Sequence, residues 1–349
     1  LSDAVEDELA RFGKCFIVDG HTFSDVPLPY EDDTASLFPE FFTPQNVPWG
    51  CYFPEYYPAF ADLDMDGTNE IIRVWGGGVF EQDAFYEACD RHGLLVTQDF
   101  LMACGDYPEE ESWFQQALQK EAEFAALALR NHPSLVWWSG DNENAVGGNE
   151  QMPEYWGRTA ALKAIGPVLK KLDPARIFLP SSPYGGDRYA SKTVGTTHNT
   201  QFLGSFFAYL EKDDLSDYKD EYKQYLARFI AEEPSMGAVS TFSLRRMMAE
   251  SDIYGAEDML LYHTQGNPAL LRELYDYEKL FAEKVLGSFK NGEDRLLKLQ
   301  YIQYEWVRLS FELARRNLWF NSGLLYWMLA DCWPAASGWA LIDYYGLPK

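Results

Sequence analysis

Long apolar runs, paired cysteines and basic charge are all scarce in this chain, and each scarcity excludes something. No stretch reaches the ~20 consecutive apolar residues that a membrane-spanning helix requires. Lys and Arg number 29 against 54 Asp and Glu, a formal net charge of −25. That field repels nucleic acid, anionic membranes and acidic polymers, so none is an expected partner. A neutral or cationic substrate suits it. The five cysteines (Cys15, Cys51, Cys89, Cys104 and Cys332) are odd in number and show no CxxC or metal-type spacing. Buried free thiols are the expectation. The histidines (His21, His92, His132, His198 and His263) lack metal-ligand spacing, so neither a metal nor another cofactor is expected. No Asn-x-Ser/Thr sequon occurs, and Leu1-Ser2-Asp3-Ala4 lacks a signal-peptide pattern. A cytoplasmic setting is the expectation, with a cleaved leader as the alternative.

What is present is apolar bulk and rings. The 349 residues are 47% hydrophobic and 16% aromatic, enough for one large core. Aromatic faces also suit the apolar faces of sugar rings, although most must simply fill the interior. From about residue 41, strand and helix signals alternate, the pattern of a parallel sheet with crossover helices. Strands are expected at Phe41 to Asn46, Glu70 to Trp75, Leu94 to Thr97 and Leu135 to Trp138. Four more are expected at Arg176 to Pro180, Lys192 to Thr197, Arg228 to Ala231 and Gly323 to Leu329. Between them, Ala84, Phe85, Ala88 and Cys89 mark one helix that stops at Gly93. Trp113, Phe114, Ala117, Leu118, Phe124, Ala125 and Ala128 mark the apolar face of a second. Thr159 to Leu172 and Arg295 to Asn317 complete the helices expected. Eight strands predict a (β/α)8 barrel over residues 41–349, preceded by an irregular segment, residues 1–40.

The segment Trp137-Trp138-Ser139-Gly140-Asp141-Asn142-Glu143-Asn144 is the most informative. An apolar strand ends in glycine and an unbroken polar cluster, which puts Glu143 where such barrels keep reacting groups. Arg228-Phe229-Ile230-Ala231-Glu232 presents a second carboxyl in a like setting, with Glu233 adjacent as a competitor. Two carboxyl groups held roughly 5 Å apart can cleave a glycosidic bond with retention. Asn142 can then bind a hydroxyl beside the reacting carbon. Among strand-end residues, Trp75, Asp99, His198 and Trp327 are substrate-binding candidates. Asp99 suits charge-assisted hydrogen bonds, and His198 is as readily a structural histidine. Trp156 could line the entrance or pack. Asp62-Leu63-Asp64-Met65-Asp66-Gly67-Thr68-Asn69-Glu70 has the look of a calcium loop, but its twelfth position is Arg73, and a turn into the next strand explains it better.

Several motifs occur in order: Arg73-Val74-Trp75-Gly76-Gly77-Gly78-Val79-Phe80-Glu81, Gln98-Asp99-Phe100, Arg130-Asn131-His132-Pro133-Ser134, Gly140 to Asn144, and Leu325-Tyr326-Trp327 through Asp331-Cys332-Trp333-Pro334. Over roughly residues 65–349 this resembles the catalytic barrel of family 2 glycoside hydrolases, closest to the β-mannosidase branch. The resemblance implies Glu143 as acid/base and Glu232 as nucleophile, with retention; exo-acting hydrolysis, of β-mannosides first, is the expectation, and it needs a raised pKa at Glu143. A glycoside or oligosaccharide is the implied substrate. Ala231-Glu232-Glu233-Pro234 and His198-Asn199-Thr200 depart from the branch, so exo-β-glucosaminidase, another family 2 specificity and a silent glycan-binding barrel stay open. The resemblance also implies flanking β-sandwich modules, expected to be absent from these residues, as in a fragment of a longer protein or a barrel-only variant.

Overall fold

The computed structural model describes residues 71–147, 156–185, 193–198, 227–255, 257–264, 268–317, 320–331 and 333–349. Expectations for residues 1–40, the strand at Phe41 to Asn46, the loop at Asp62 to Glu70, and Cys15, Cys51 and Cys332 lie outside them. The chain divides into two compact units. The first takes in the described residues of Leu1–His198, with Ala227–Ala231 and Leu318–Leu325. The second takes in those of Asn199–Leu226, Glu232–Asn317 and Tyr326–Lys349.

The first unit is built on four parallel strands: β1 (Ile71–Val74), β2 (Leu95–Asp99), β3 (Leu135–Ser139) and β4 (Ile177–Leu179). They lie in sequential order, Ile71 opposite Leu95, Thr97 opposite Trp137, and Trp137 opposite Ile177. The apolar residues of β1 and β2 and most of those of β3 are buried, as in parallel strands covered on both faces, while Ile177, Phe178 and Leu179 of β4 are partly buried. Helix α1 (Asp83–His92) joins β1 to β2, and α2 (Ser112–Leu129) joins β2 to β3. A π-helix (Ala160–Ile165) running into α3 (Gly166–Leu172) joins β3 to β4. Gly93 ends α1 in the left-handed region, φ 73°, and its amide is bonded to the Cys89 carbonyl, a geometry that favours glycine. With right-handed crossovers, such an order sets all the helices on one face of the sheet. That face packs Val96, Phe100 and Trp138 against Leu118, Ala122, Ala126, Ala160 and Ala164.

The other face carries Ile71, Leu95 and Trp137, which pack with Phe229, Ala231 and Leu325. Ala231 and Leu325 belong to a second sheet, which Phe229 immediately precedes, in the order β5 (Thr197–His198), β6 (Ile230–Pro234), β7 (Leu324–Trp327). The Thr197 amide donates to Phe229 O and the Ile230 amide to Gly323 O, both at 2.9 Å. Trp137 and Phe229 meet edge to face, centroids 5.4 Å apart. Six of the seven strands expected from Glu70 onward are present near their expected bounds; the one expected at Lys192 to Thr197 is instead the two-residue Thr197–His198, the described residues 193–196 before it being non-strand. One helix face departs from expectation: Trp113 and Phe124 of α2 are 62% and 72% exposed, and Ala117 and Ala128 are exposed too. The helix buries its alanine side instead, where Ala122, Ala125 and Ala126 let the π-helix come close.

The second unit is mainly helical. Helix α5 (Gly292–Arg316) starts at Asn291, whose side chain accepts from the Asp294 amide, and carries Arg315 and Arg316 in its last turn. Its apolar stripe (Leu296, Leu299, Ile302, Trp306, Leu309) packs with Phe281 of α4 (Pro268–Leu286). Gly237–Ala238 and Ser337–Gly338 form a short antiparallel pair there.

Candidate active site

The polar residues of the first unit gather past the carboxyl ends of β1 to β5. Bridges link Ala103 to Asn142 and Asn142 to Ser182, so the loops after β2, β3 and β4 run side by side. Gly76 and Gly77 make room beside them. A Cβ on Gly76 would stand 2.5 Å from Met102 O, and one on Gly77 would stand 2.0 Å from the Trp75 ring.

Arg73 is the buried centre. A charge inside an apolar strand must be paired, and Arg73 Nε and Nη2 donate to Asp99 Oδ2 at 3.1 and 2.7 Å. Nη2 also donates to Asn142 Oδ1 at 2.6 Å and Nη1 to Ala231 O at 3.4 Å. Asp99 is wholly buried, and its Oδ2 accepts the Gly76 amide too. Burial raises its pKa, against the pull of the Arg73 guanidinium. Asp99 and Arg73 together thus fix the Asn142 amide, whose Nδ2 donates to Cys104 Sγ at 3.4 Å.

Glu143 follows, with φ 56°, in the left-handed region that costs a non-glycine residue free energy and recurs at functional sites. Its amide donates to Ser182 O at 2.8 Å. Its Oε1 lies 2.8 Å from His198 Nδ1, and its Oε2 lies 3.6 Å from Cys104 Sγ. His198 Nε2 in turn lies 2.9 Å from Ser182 Oγ. The expected rise in the Glu143 pKa is not what this geometry produces. Burial works to raise it, but the hydrogen bond with His198, then the Arg73 charge, outweigh burial and hold it below the ordinary value. Asp141, two residues back, is the reverse case: burial pushes its carboxyl up to about 8, against hydrogen bonds from Ser181 and the Asn144 amide.

The structure therefore brings together Asp99, Asn142, Glu143 and His198. Trp75 is partly buried at the end of β1, and Trp156 is 37% exposed. Glu232 and Glu233 are buried in β6, directly after Ala231, and belong to the second unit, as does the partly buried Trp327 that ends β7. Three residues of the cluster were not singled out from the sequence: Arg73, Cys104 and Ser182. Arg73 was legible as a lone charge within an apolar strand. Cys104 corrects the expectation of buried thiols, being exposed where Cys89 is buried, because it sits on the open loop after β2.

Several known proteins resemble the chain, although no family model matches it. The β-mannosidase B of Aspergillus flavus is 30% identical over 322 residues, 84% of this chain and 35% of that protein. The β-mannosidase B of Emericella nidulans is 29% identical over 323 residues, 85% of this chain and 36% of that protein. The chain thus spans about a third of the length of the curated relatives it matches. A crystal structure of the β-D-mannosidase of Dictyoglomus thermophilum matches with a TM-score of 0.69 at 33% identity, over 80% of this chain and 33% of that one. An exo-chitosanase of Amycolatopsis orientalis matches over 80% of this chain and 32% of that one, with a TM-score of 0.57 at 19% identity, a likeness of fold. These similarities, with the ordered motifs now seen around Arg73, Asp99 and Glu143, identify the chain as a glycoside hydrolase family 2 catalytic domain of the β-mannosidase-like branch.

Proposed function

We propose that residues 41–349 close into a (β/α)8 barrel, with residues 1–40 as a preceding segment, and remove terminal β-linked sugars with retention. β-Mannosides are the substrates that the relatives' names favour. Glu143 protonates the departing glycosidic oxygen while Glu232 attacks the anomeric carbon from the opposite face. Water, deprotonated by Glu143, then releases the sugar. Trp75 and Trp327 supply apolar faces for the ring, and Asn142, held by Arg73 and Asp99, addresses the hydroxyl beside the reacting carbon.

The observation that carries this reading is the placement of Glu143. It is a carboxyl on a strained residue at a strand end, with one oxygen engaged by an imidazole and its side chain 20% exposed. Rates on aryl β-mannosides test it. Glu143→Gln should lose roughly 10²-fold or more where the leaving group needs a proton. Near-normal turnover would defeat the assignment. A net charge of −25 favours a second specificity, for a cationic aminosugar. Faster cleavage of aryl β-glucosaminides than β-mannosides would select it.

A further inference from the structure

We propose that Ser182 is a positioning residue for proton transfer at Glu143: its hydroxyl keeps the single proton of neutral His198 on Nδ1, so that Glu143 Oε1 stays engaged and Oε2 alone exchanges the catalytic proton. This rests on Glu143 being the acid/base.

Ser182 touches the acid/base loop twice and His198 once. Its amide donates to Asp141 O at 2.9 Å, its carbonyl accepts the Glu143 amide at 2.8 Å, and its Oγ lies 2.9 Å from His198 Nε2. Ser182 is 2% exposed and the His198 side chain equally so, which leaves little room for water to replace the hydroxyl. A neutral imidazole carries one proton. Nδ1 faces a carboxylate oxygen at 2.8 Å, and that contact is favourable only if Nδ1 donates. Nε2 is then a bare acceptor in a buried place, and a buried acceptor without a donor costs free energy. The Ser182 hydroxyl, free to turn, is the donor in reach. The charged groups facing His198 are Glu143 from the loop after β3 and, through charge, Asp99 at the end of β2, itself neutralised by Arg73. In the proposed pocket Glu232 joins them from β6.

The consequence separates the two oxygens of Glu143. Oε1 accepts from His198 in both protonation states of the carboxyl. Oε2, beside the Cys104 thiol at 3.6 Å, is the one that lends and recovers the proton. Ser182→Ala removes the hydroxyl but keeps both backbone hydrogen bonds, so the loop's path is retained.

The test compares Ser182→Ala with the unaltered chain on two aryl β-mannosides, one with an acidic phenol that departs without protonation and one with a weakly acidic phenol that needs it. The expected result is a five- to tenfold fall (roughly the effect of one hydrogen bond) in kcat/KM on the second substrate and a change within about twofold on the first. An equal fall on both, or none on either, overturns the proposal. Nitrogen-15 spectra of labelled histidine, with His198→Gln for assignment, give an independent reading: His198 should be protonated on Nδ1 alone. A proton on Nε2, or on both nitrogens, overturns it. Glu143→Gln on the same two substrates tells the two readings apart. If Glu143→Gln shows no leaving-group dependence, the acid/base assignment has failed; if it does and Ser182→Ala does not, only the role of Ser182 has.

Discussion

Asp141 lies buried beneath the loop that presents Glu143, with Ser181 Oγ and the Asn144 amide donating to its Oδ1. Its Oδ2 has no hydrogen-bond partner among the described residues and faces Gly157, where a Cβ would stand 2.4 Å away. Its carboxyl keeps a proton until about pH 8, whereas the unfolded chain releases one near the ordinary value of 3.8. The folded state therefore binds more protons between those values, and stability falls as pH rises through that window. Asp141→Asn keeps the shape and the acceptor but removes this titration. Its gain in Tm should be larger at pH 8 than at pH 5, measured by thermal melts, and an equal gain at both would refute a protonated Asp141. The two acids of β6 make a second comparison. Glu232→Gln should lower kcat roughly 10³-fold or more, the scale of losing a group that acts in the transition state. Glu233→Gln should stay within about tenfold of the parent. Reversed values would move the nucleophile to Glu233, which is 1% exposed against 8% for Glu232.

Among the elements, helix α2 gives the most direct test of packing. Leu118→Ala should destabilise the fold by about 2–5 kcal/mol because a buried side chain leaves a cavity. Phe124→Ser, on the exposed side, should change the denaturant midpoint little; a large loss there would mean that this side is covered. The same helix shows where sequence stops being informative. Its apolar residues lie on two sides, and large rings outweigh alanines in any hydrophobic count, yet Ala122 and Ala126 are buried because close helix approach needs small residues. The strands were legible because Ile71-Ile72, Leu94-Leu95-Val96 and Val136-Trp137-Trp138 are short apolar runs, each followed closely by polar residues or glycine. The helices at Thr241–Leu244, Glu250–Tyr254 and Asp258–Tyr262 are not legible in the sequence, since four or five residues are too few to show a period, and the 19-residue α4 (Pro268–Leu286) is a further helix missing from the expected set. At the site, Glu143 and Asp99 could be found from strand-end position alone. The partnership of Ser182 with His198, 16 residues on, could not, since a residue in the loop after β4 and one in β5 meet only once the strands have set their register.

At the scale of the whole molecule, the acidic surface and the polar cluster answer different questions. The charge of −25 governs which substrates approach, and it predicts that kcat/KM for a neutral mannoside changes little with salt. A steep fall with salt would instead favour the cationic aminosugar. The proposed chemistry depends on convergence: it requires Glu143, after β3, and Glu232, within β6, to address one anomeric carbon from opposite sides. The most direct test is a crystal structure with a mannose-like inhibitor bound, read for the distance between the two carboxyl groups. Retention by double displacement predicts about 5–5.5 Å with both side chains turned toward the sugar. A separation beyond roughly 6.5 Å, or a Glu232 side chain turned away from the sugar, would contradict it.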